Sequence, residues 1–297
     1  MNLDKKIKGL VMQNEPMSKH TTFKIGGPAE IFFEPRDTND LRYGVLFACT
    51  KKKPIHIVGE GSNLLVGDDR LSGIVIRLNA PFFRKIEMNG SFVSCGAGVS
   101  ISRFTGFCTQ HNLSGSEFLA GIPGTVGGAL VMNAGAWGSS IEEIVENVTI
   151  MDYNGFIKVL NRNDIRFSYR SSGLSRCIVL AVGFRLRVRD SKKVFSTIMK
   201  YCKERTRLQD TSMPSAGCVF KNPSSGMSAG KIIDECGLKG TRIGGAEVSR
   251  RHANFIVNAG GASAADVVRL ISLIRRKVNN AFNIRLDTEI KIWKTKK

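Results

Sequence analysis

No apolar run in the chain reaches the roughly 18 residues that a membrane-crossing helix needs. The first nine residues, Met1 to Gly9, are charged and lack the apolar core of a signal peptide. These two absences argue against membrane insertion and lead us to expect a cytoplasmic protein. The cysteines (Cys49, Cys95, Cys108, Cys177, Cys202, Cys218 and Cys236) are odd in number, scattered, and never spaced C-x-x-C. That argues against a disulfide framework and against structural zinc. The four histidines, His20, His56, His111 and His252, have no metal-ligand spacing, so no metal is expected. No internal repeat and no low-complexity segment is present.

What remains is an ordinary globular composition. There are 297 residues, 42% apolar and 23% charged, enough for two or three domains with substantial cores. The net charge of +19 suggests an anionic partner. The cations are spread in short clusters, however, without a Lys/Arg stripe interleaved with aromatics, so nucleic acid is not expected. General solvation accounts for such a spread as well as anionic small ligands do.

One segment breaks the basic pattern. Gly115 to Gly138 holds seven glycines, no Lys, no Arg, and a single carboxylate, Glu117. Glycine at this density weakens a helix or strand. The interleaved Leu119, Ile122, Val126, Leu130, Val131, Met132 and Trp137 rule out a flexible linker. The stretch reads as buried, irregular backbone facing a flat or anionic ligand, with a set of tight turns in a core as the plain alternative.

Patterning along the rest of the chain predicts a mixed α and β protein. Asp40 to Lys53 is an amphipathic helix ended by Pro54, and Ile55–Val58 is a strand running into Gly59-Glu60-Gly61-Ser62-Asn63. Asn89-Gly90 and Asn154-Gly155 mark two hairpins. Cys177 to Arg189 reads as one long strand, and Asp190 or Ser191 caps a helix to about Arg207. Ser228 to Cys236 is a short helix closed by Gly237. Ser263 to Asp266 opens a helix reaching Phe282, with Val267, Leu270, Ile271, Ile274, Val278 and Phe282 buried. Ile284 to Trp293 is the final strand.

Five places could carry chemistry. The Gly59–Asn63 loop can aim N–H groups at a phosphate. Leu64 stands where G-x-G-x-x-G needs glycine and a strand follows, so the Rossmann reading fails and an ordinary turn fits equally. The Gly115–Gly138 stretch could hold a large cofactor through backbone. Arg170, beside Tyr169 in a polar turn, could clamp a carboxylate or phosphate, or be a solvated surface arginine. Cys218, between Gly217 and an apolar run, could donate a proton or be a buried structural thiol. Glu289 alternates with Ile290 and Ile292 in the last strand, where a lone carboxylate faces solvent. His252 reads as structural.

In order along the chain stand His20-Thr21-Thr22-Phe23-Lys24-Ile25-Gly26-Gly27-Pro28-Ala29, then Gly59-x-Gly61-Ser62-Asn63-Leu64-Leu65-Val66, then Gly121-Ile122-Pro123-Gly124-Thr125-Val126-Gly127-Gly128-Ala129 and Met132-Asn133-Ala134-Gly135-Ala136. Ser168-Tyr169-Arg170, Ala216-Gly217-x-Val219-Phe220-Lys221-Asn222-Pro223 and His252-Ala253-Asn254-Phe255-Ile256-Val257-Asn258 follow. Together these resemble the UDP-N-acetylenolpyruvoylglucosamine reductase family over nearly the whole chain. The shorter subtype fits, since no tyrosine-bearing insertion is present.

The resemblance implies an α+β protein. Two subdomains of the vanillyl-alcohol-oxidase/PCMH type would bind FAD (residues 1–78 and 79–189), and a C-terminal α+β domain (190–297) would bind substrate. It implies tightly held, non-covalent FAD, NADPH as co-substrate and a UDP-sugar as substrate; a monomer is the expectation, though the sequence does not reveal oligomeric state. Gly59, Glu60, Gly61, Ser62, Asn63, Gly121, Ile122, Pro123, Gly124, Gly127, Gly128, Asn133 and Gly135 would hold the cofactor. Tyr169, Lys221 and Asn222 would face substrate. Arg170 matches the arginine that pairs with the enolpyruvyl carboxylate, and Glu289 a carboxylate near the same centre. Cys218 occupies the position of the family's usual proton-donating serine, the main departure from its pattern. The alternatives are another FAD oxidoreductase of this fold, acting on a small alcohol or sugar, and a basic nucleic-acid-binding protein.

Overall fold

A computed structural model describes residues 7–210, 212–224 and 226–295. In chain order the elements are β1 (Leu10–Pro16), β2 (Pro28–Glu34), α1 (Thr38–Thr50), β3 (Ile55–Val58), β4 (Leu64–Val66), β5 (Leu71–Arg77), β6 (Ile86–Asn89), β7 (Phe92–Gly96), α2 (Ile101–Gln110), β8 (Leu113–Ser114), α3 (Val126–Val131), β9 (Gly135–Ala136), β10 (Ser139–Ser140), β11 (Val145–Met151), β12 (Ile157–Asn161), β13 (Ile178–Arg185) and β14 (Arg187–Val188). There follow α4 (Ser191–Leu208), β15 (Ser215–Cys218), α5 (Ala229–Glu235), β16 (Arg242–Ile243), β17 (Ala246–Val248), β18 (Phe255–Asn258), α6 (Ala264–Phe282) and β19 (Lys291–Trp293).

The chain forms two compact units, each assembled from separate stretches. The first takes the residues up to Gln13, Ile31–Gly59 and Gly73–Arg205; the second takes Asn14–Glu30, Glu60–Ser72 and the chain from Thr206 onward.

The first unit is built on an antiparallel sheet in the order β12-β11-β13-β7-β6. Both Asn-Gly turns fall where expected, with Gly90 at φ 57° and Gly155 at φ 81°, a region glycine enters without steric cost. Its core joins Val93, Val148, Ile178, Val182 and Phe184 of the sheet to Leu41, Val45, Phe104 and Val126 of the helices. Asp37 caps α1 by accepting from the Asn39 and Asp40 amides. Two expectations change here. The long strand over Cys177–Arg189 is instead β13 and the short β14, which breaks away to pair with β8. The glycine segment is not irregular throughout, because α3 runs through Gly127 and Gly128. Thr125 supplies its cap, accepting the Gly128 amide at 3.2 Å. Packing overrides propensity there: an added Cβ at Gly127 would meet Ala97 Cβ at 2.8 Å.

The second unit carries an antiparallel sheet in the order β15-β18-β17-β16. Helix α6 buries Val267, Leu270, Ile271, Ile274 and Val278 in the same core as Ala246, Val248 and Ile256 of this sheet, with Phe282 partly buried. The Ser263/Asp266 capping box that the sequence predicts is present. Gly237 follows α5 at φ 66°. The final strand is shorter than expected. Only Lys291–Trp293 is β19, which pairs in parallel with β4. The preceding chain bends so that Leu286 and Ile290 reach the core, and Glu289 lies outside the strand.

Candidate active site

Within the first unit, the end of β3 touches the glycine segment. A Cβ at Gly59 would lie 2.6 Å from Thr125 Oγ1, so the end of β3 leaves no room for a side chain beside Thr125. Gly121 (φ 73°) and Gly124 (φ 136°) hold conformations that strain any other residue. Gly128 is exposed, and an added Cβ there meets only Thr125 Oγ1, at 3.4 Å, so this backbone stays open to a ligand. Such a cradle of bare backbone fits a flat cofactor bearing a pyrophosphate. Sequence reasoning missed Arg205, on α4, whose Cδ lies 3.0 Å from where a Gly121 Cβ would stand. No spacing pattern joins Gly121 to a cation 84 positions away. Trp137, at φ 59° in the β9–β10 turn, stacks on Tyr201 of α4 with ring centroids 4.9 Å apart.

Arg170 also belongs to the first unit. Ser168 and Ser171 exchange both backbone hydrogen bonds (2.8 and 3.0 Å), which closes a tight turn over Tyr169 and Arg170. Arg170 is left-handed at φ 59°, a conformation that costs a non-glycine residue roughly 1–2 kcal/mol. The neighbouring glycine segment holds the turn in place. Asn133 donates through Nδ2 to the Ser168 carbonyl at 3.1 Å, and Ser172 donates to the Val131 carbonyl through both N and Oγ at 3.2 Å. The guanidinium donates from Nη1 to the Gly135 carbonyl at 3.1 Å and lies 5.2 Å from the centroid of the Tyr169 ring. Asn133 and Gly135, expected at a cofactor, thus also support Arg170.

Cys218 and Glu289 come together in the second unit. The Glu289 amide donates to the Val219 carbonyl at 2.7 Å, and the Lys221 amide to the Asp287 carbonyl at 2.9 Å. This short ladder sets Glu289 opposite Val219, one residue from Cys218. Asn63 anchors it from the glycine loop: its carbonyl accepts from Lys291 N at 3.0 Å, and its Nδ2 donates to the Glu289 carbonyl at 3.3 Å. Thr22, given no role from sequence, ties the same loop to Cys218's strand. Its hydroxyl reaches the Ser215 carbonyl at 2.6 Å, and its amide donates to the Gly61 carbonyl at 3.3 Å. Asn254 holds the other side of the strand. It accepts from Phe220 N at 2.9 Å and donates to Phe220 O at 2.8 Å while 3% exposed. Asn222 accepts the Ala229 amide at 3.0 Å. Both Cys218 and Glu289 are half-buried.

His252 packs within its own turn. Its Nδ1 accepts the Asn254 amide at 3.2 Å, its ring packs on Phe255, and burial lowers its pKa. The Cys108 thiol is pushed up to about 12 by burial. Among the described residues, no cluster of His, Cys, Asp and Glu could hold a metal ion, and no helix is long and apolar enough to cross a membrane.

Residues 29–175 match the family model of the FAD binding domain, and residues 209–293 match the UDP-N-acetylenolpyruvoylglucosamine reductase C-terminal domain. The reductase of Heliobacterium modesticaldum is 43% identical over 288 residues, 96% of this chain and 91% of that protein. That of Caldanaerobacter subterraneus is 40% identical over 286 residues, covering 96% and 94%. The crystal structure of UDP-N-acetylenolpyruvylglucosamine reductase (MurB) from Thermus caldophilus superposes with a TM-score of 0.83 at 33% identity, covering 97% of this chain and 100% of that one. The chain therefore belongs to the UDP-N-acetylenolpyruvoylglucosamine reductase family, with a PCMH-type FAD-binding fold and a C-terminal α+β domain. A likeness to 6-hydroxy-D-nicotine oxidase from Arthrobacter nicotinovorans (TM-score 0.50, 16% identity) speaks to the fold alone.

Proposed function

We propose that this chain is an FAD-dependent reductase that uses NADPH to reduce the enolpyruvyl group of UDP-N-acetylglucosamine enolpyruvate, giving UDP-N-acetylmuramate for peptidoglycan synthesis. FAD held by the chain would supply the hydride transfer that links NADPH to the terminal enolpyruvyl carbon. The chain's own residues bind, orient and move the proton. Gly59, Glu60, Gly61, Ser62, Asn63, Gly121, Ile122, Pro123, Gly124, Gly127 and Gly128 cradle the cofactor with backbone. Tyr169, Lys221 and Asn222 contact the nucleotide sugar.

Arg170 pairs with the substrate carboxylate. As hydride arrives, negative charge grows on the adjacent carbon and spreads into that carboxylate. A preorganised guanidinium stabilises this charge more than the ground state, an effect worth on the order of 100- to 1000-fold in rate for one such donor. The Cys218 thiol then protonates that carbon, and Glu289 orients the thiol. A thiol is a stronger acid than the family's usual serine, so the replacement preserves the role.

The observation that carries this reading is that the Gly61–Asn63 loop is tied to the backbone bearing both acids: through Thr22 to the Ser215 carbonyl of the Cys218 strand, and through Asn63 to the Glu289 carbonyl. The test is spectroscopic and kinetic. The purified protein is expected to display flavin absorbance and to oxidise NADPH only when the enolpyruvyl nucleotide sugar is present. No flavin band after adding FAD, or turnover of small alcohols in place of the nucleotide sugar, would reject it.

A further inference from the structure

We propose that Glu142, acting through Asn133 and Arg162, is a positioning residue for Arg170 in reduction of the enolpyruvyl group; this rests on the function proposed above. Glu142 stands in the short turn Ile141–Glu143, far in sequence from Arg170, and meets the glycine segment through Asn133. Its carboxylate gathers three donors. Oε1 accepts from Asn133 Nδ2 at 3.1 Å and from Ser140 Oγ at 3.1 Å, and Oε2 accepts from Arg162 Nη2 at 3.0 Å.

Each of two of these partners continues to the Arg170 turn. Asn133 is 4% exposed and left-handed at φ 42°, and the same Nδ2 reaches the Ser168 carbonyl. Arg162 also donates from Nε to the Glu142 carbonyl at 3.0 Å, and its guanidinium lies 4.6 Å from the centroid of the Phe167 ring. Glu142 therefore fixes both residues that lead into the turn, Phe167 by its ring and Ser168 by its carbonyl. A strained backbone persists only where its surroundings over-determine it. Arg170 at φ 59° is such a position, and Glu142 is the point where two of its supports, through Asn133 and through Arg162, converge.

A general stabilising role explains this arrangement poorly. The Glu142–Arg162 pair is partly exposed, with side chains 30% and 38% accessible. Pairs of that kind add little to stability. Removing Glu142 should leave the fold intact and let Arg170 drift, and a displacement of about 1 Å at a reacting group costs on the order of 100-fold in rate.

The test compares Glu142→Ala, Glu142→Gln, Arg170→Ala and the Glu142→Ala/Arg170→Ala double variant as holoenzymes. Three quantities are read: flavin reduction by NADPH, flavin reoxidation by the enolpyruvyl substrate, and calorimetric affinity for UDP-N-acetylmuramate, whose lactyl carboxylate Arg170 would face. We expect Glu142→Ala to slow reoxidation about 10- to 100-fold and to weaken product binding several-fold, with flavin content and flavin reduction within about twofold of the parent. Glu142→Gln keeps an acceptor for Asn133 and should recover most of the loss. The double variant should be no slower than Arg170→Ala, since residues acting on one interaction are not additive. If Glu142→Ala leaves reoxidation and product affinity unchanged while Arg170→Ala lowers both, the positioning role is wrong and the proposed function stands. Equal loss in both half-reactions, with flavin released, also overturns it, as a structural effect. If Arg170→Ala itself changes nothing, the Arg170 assignment fails and this inference with it.

Discussion

Asn254→Ala probes the frame that holds Cys218. The Asn254 side chain bonds both backbone groups of Phe220, at 2.9 and 2.8 Å, in a position 3% exposed. Phe220 lies opposite Thr288, but the ladder bonds there run from Glu289 to Val219 and from Lys221 to Asp287. Its own N–H and C=O therefore depend on Asn254. Alanine leaves both buried without partners, at roughly 1–3 kcal/mol each, so the expected loss is about 3–4 kcal/mol. Asn254 keeps its backbone bond from Val219 (2.8 Å), so the strand should remain but loosen. For a unit of this size the loss corresponds to a fall of roughly 6–16 °C in unfolding midpoint. Asn254→Asp should fall between the two, because it retains the acceptor for Phe220 N but sets a carboxylate against the Phe220 carbonyl. Calorimetric and urea-unfolding midpoints measure the effect. A shift below about 2 °C for the alanine variant would mean that Phe220 finds other partners and does not depend on Asn254.

Two further predictions concern the glycines and acid stability. Gly127→Ala must push against Ala97 Cβ at 2.8 Å and should destabilise the protein by about 1–3 kcal/mol even without cofactor. Gly128→Ala meets only Thr125 Oγ1 and sits in α3, so the cofactor-free protein should be unchanged or up to about 1 kcal/mol more stable while FAD affinity falls. Melting with and without FAD separates the two, and unchanged flavin affinity in Gly128→Ala would count against this backbone as a cofactor surface. The Asp266 carboxyl is held at about 2 by the Ser263 amide and hydroxyl and by Arg269. Because its folded pKa lies below the ordinary value near 4, its stabilisation is complete above that value and disappears as pH falls toward 2. Urea midpoints should therefore drop more steeply between pH 4 and 2 in the parent than in Asp266→Asn; parallel curves would contradict this.

Much of the architecture is legible where local chemistry decides it. The α6 stripe, its Ser263/Asp266 cap, and the two Asn-Gly turns need no information beyond a few adjacent residues. Elements set by distant partners are not. β19 exists because Lys291–Trp293 meets β4 more than 220 positions earlier, and apolar alternation over Ile284–Trp293 gives no hint of where pairing begins. α3 was concealed by glycines whose reason is contact with Ala97. The interleaving of two units from separate stretches leaves no composition shift to read. At the site, family likeness singles out Arg170, Cys218 and Glu289, while their supports Thr22, Glu142, Arg162 and Asn254 are ordinary polar residues. They become meaningful only when hydrogen bonds join them to the turn or the strand.

In the proposed mechanism, the thiol at Cys218 donates the proton. The most direct test of this step is the rate at which the reduced holoenzyme is reoxidised by the enolpyruvyl nucleotide sugar in Cys218→Ala and Cys218→Ser. General acid catalysis contributes about 100- to 10,000-fold. The alanine variant is therefore predicted to lose at least 100-fold in that step, with flavin reduction by NADPH intact, and the serine variant to retain most of the rate. Reoxidation at the parent rate in Cys218→Ala would show that Cys218 is not the proton donor.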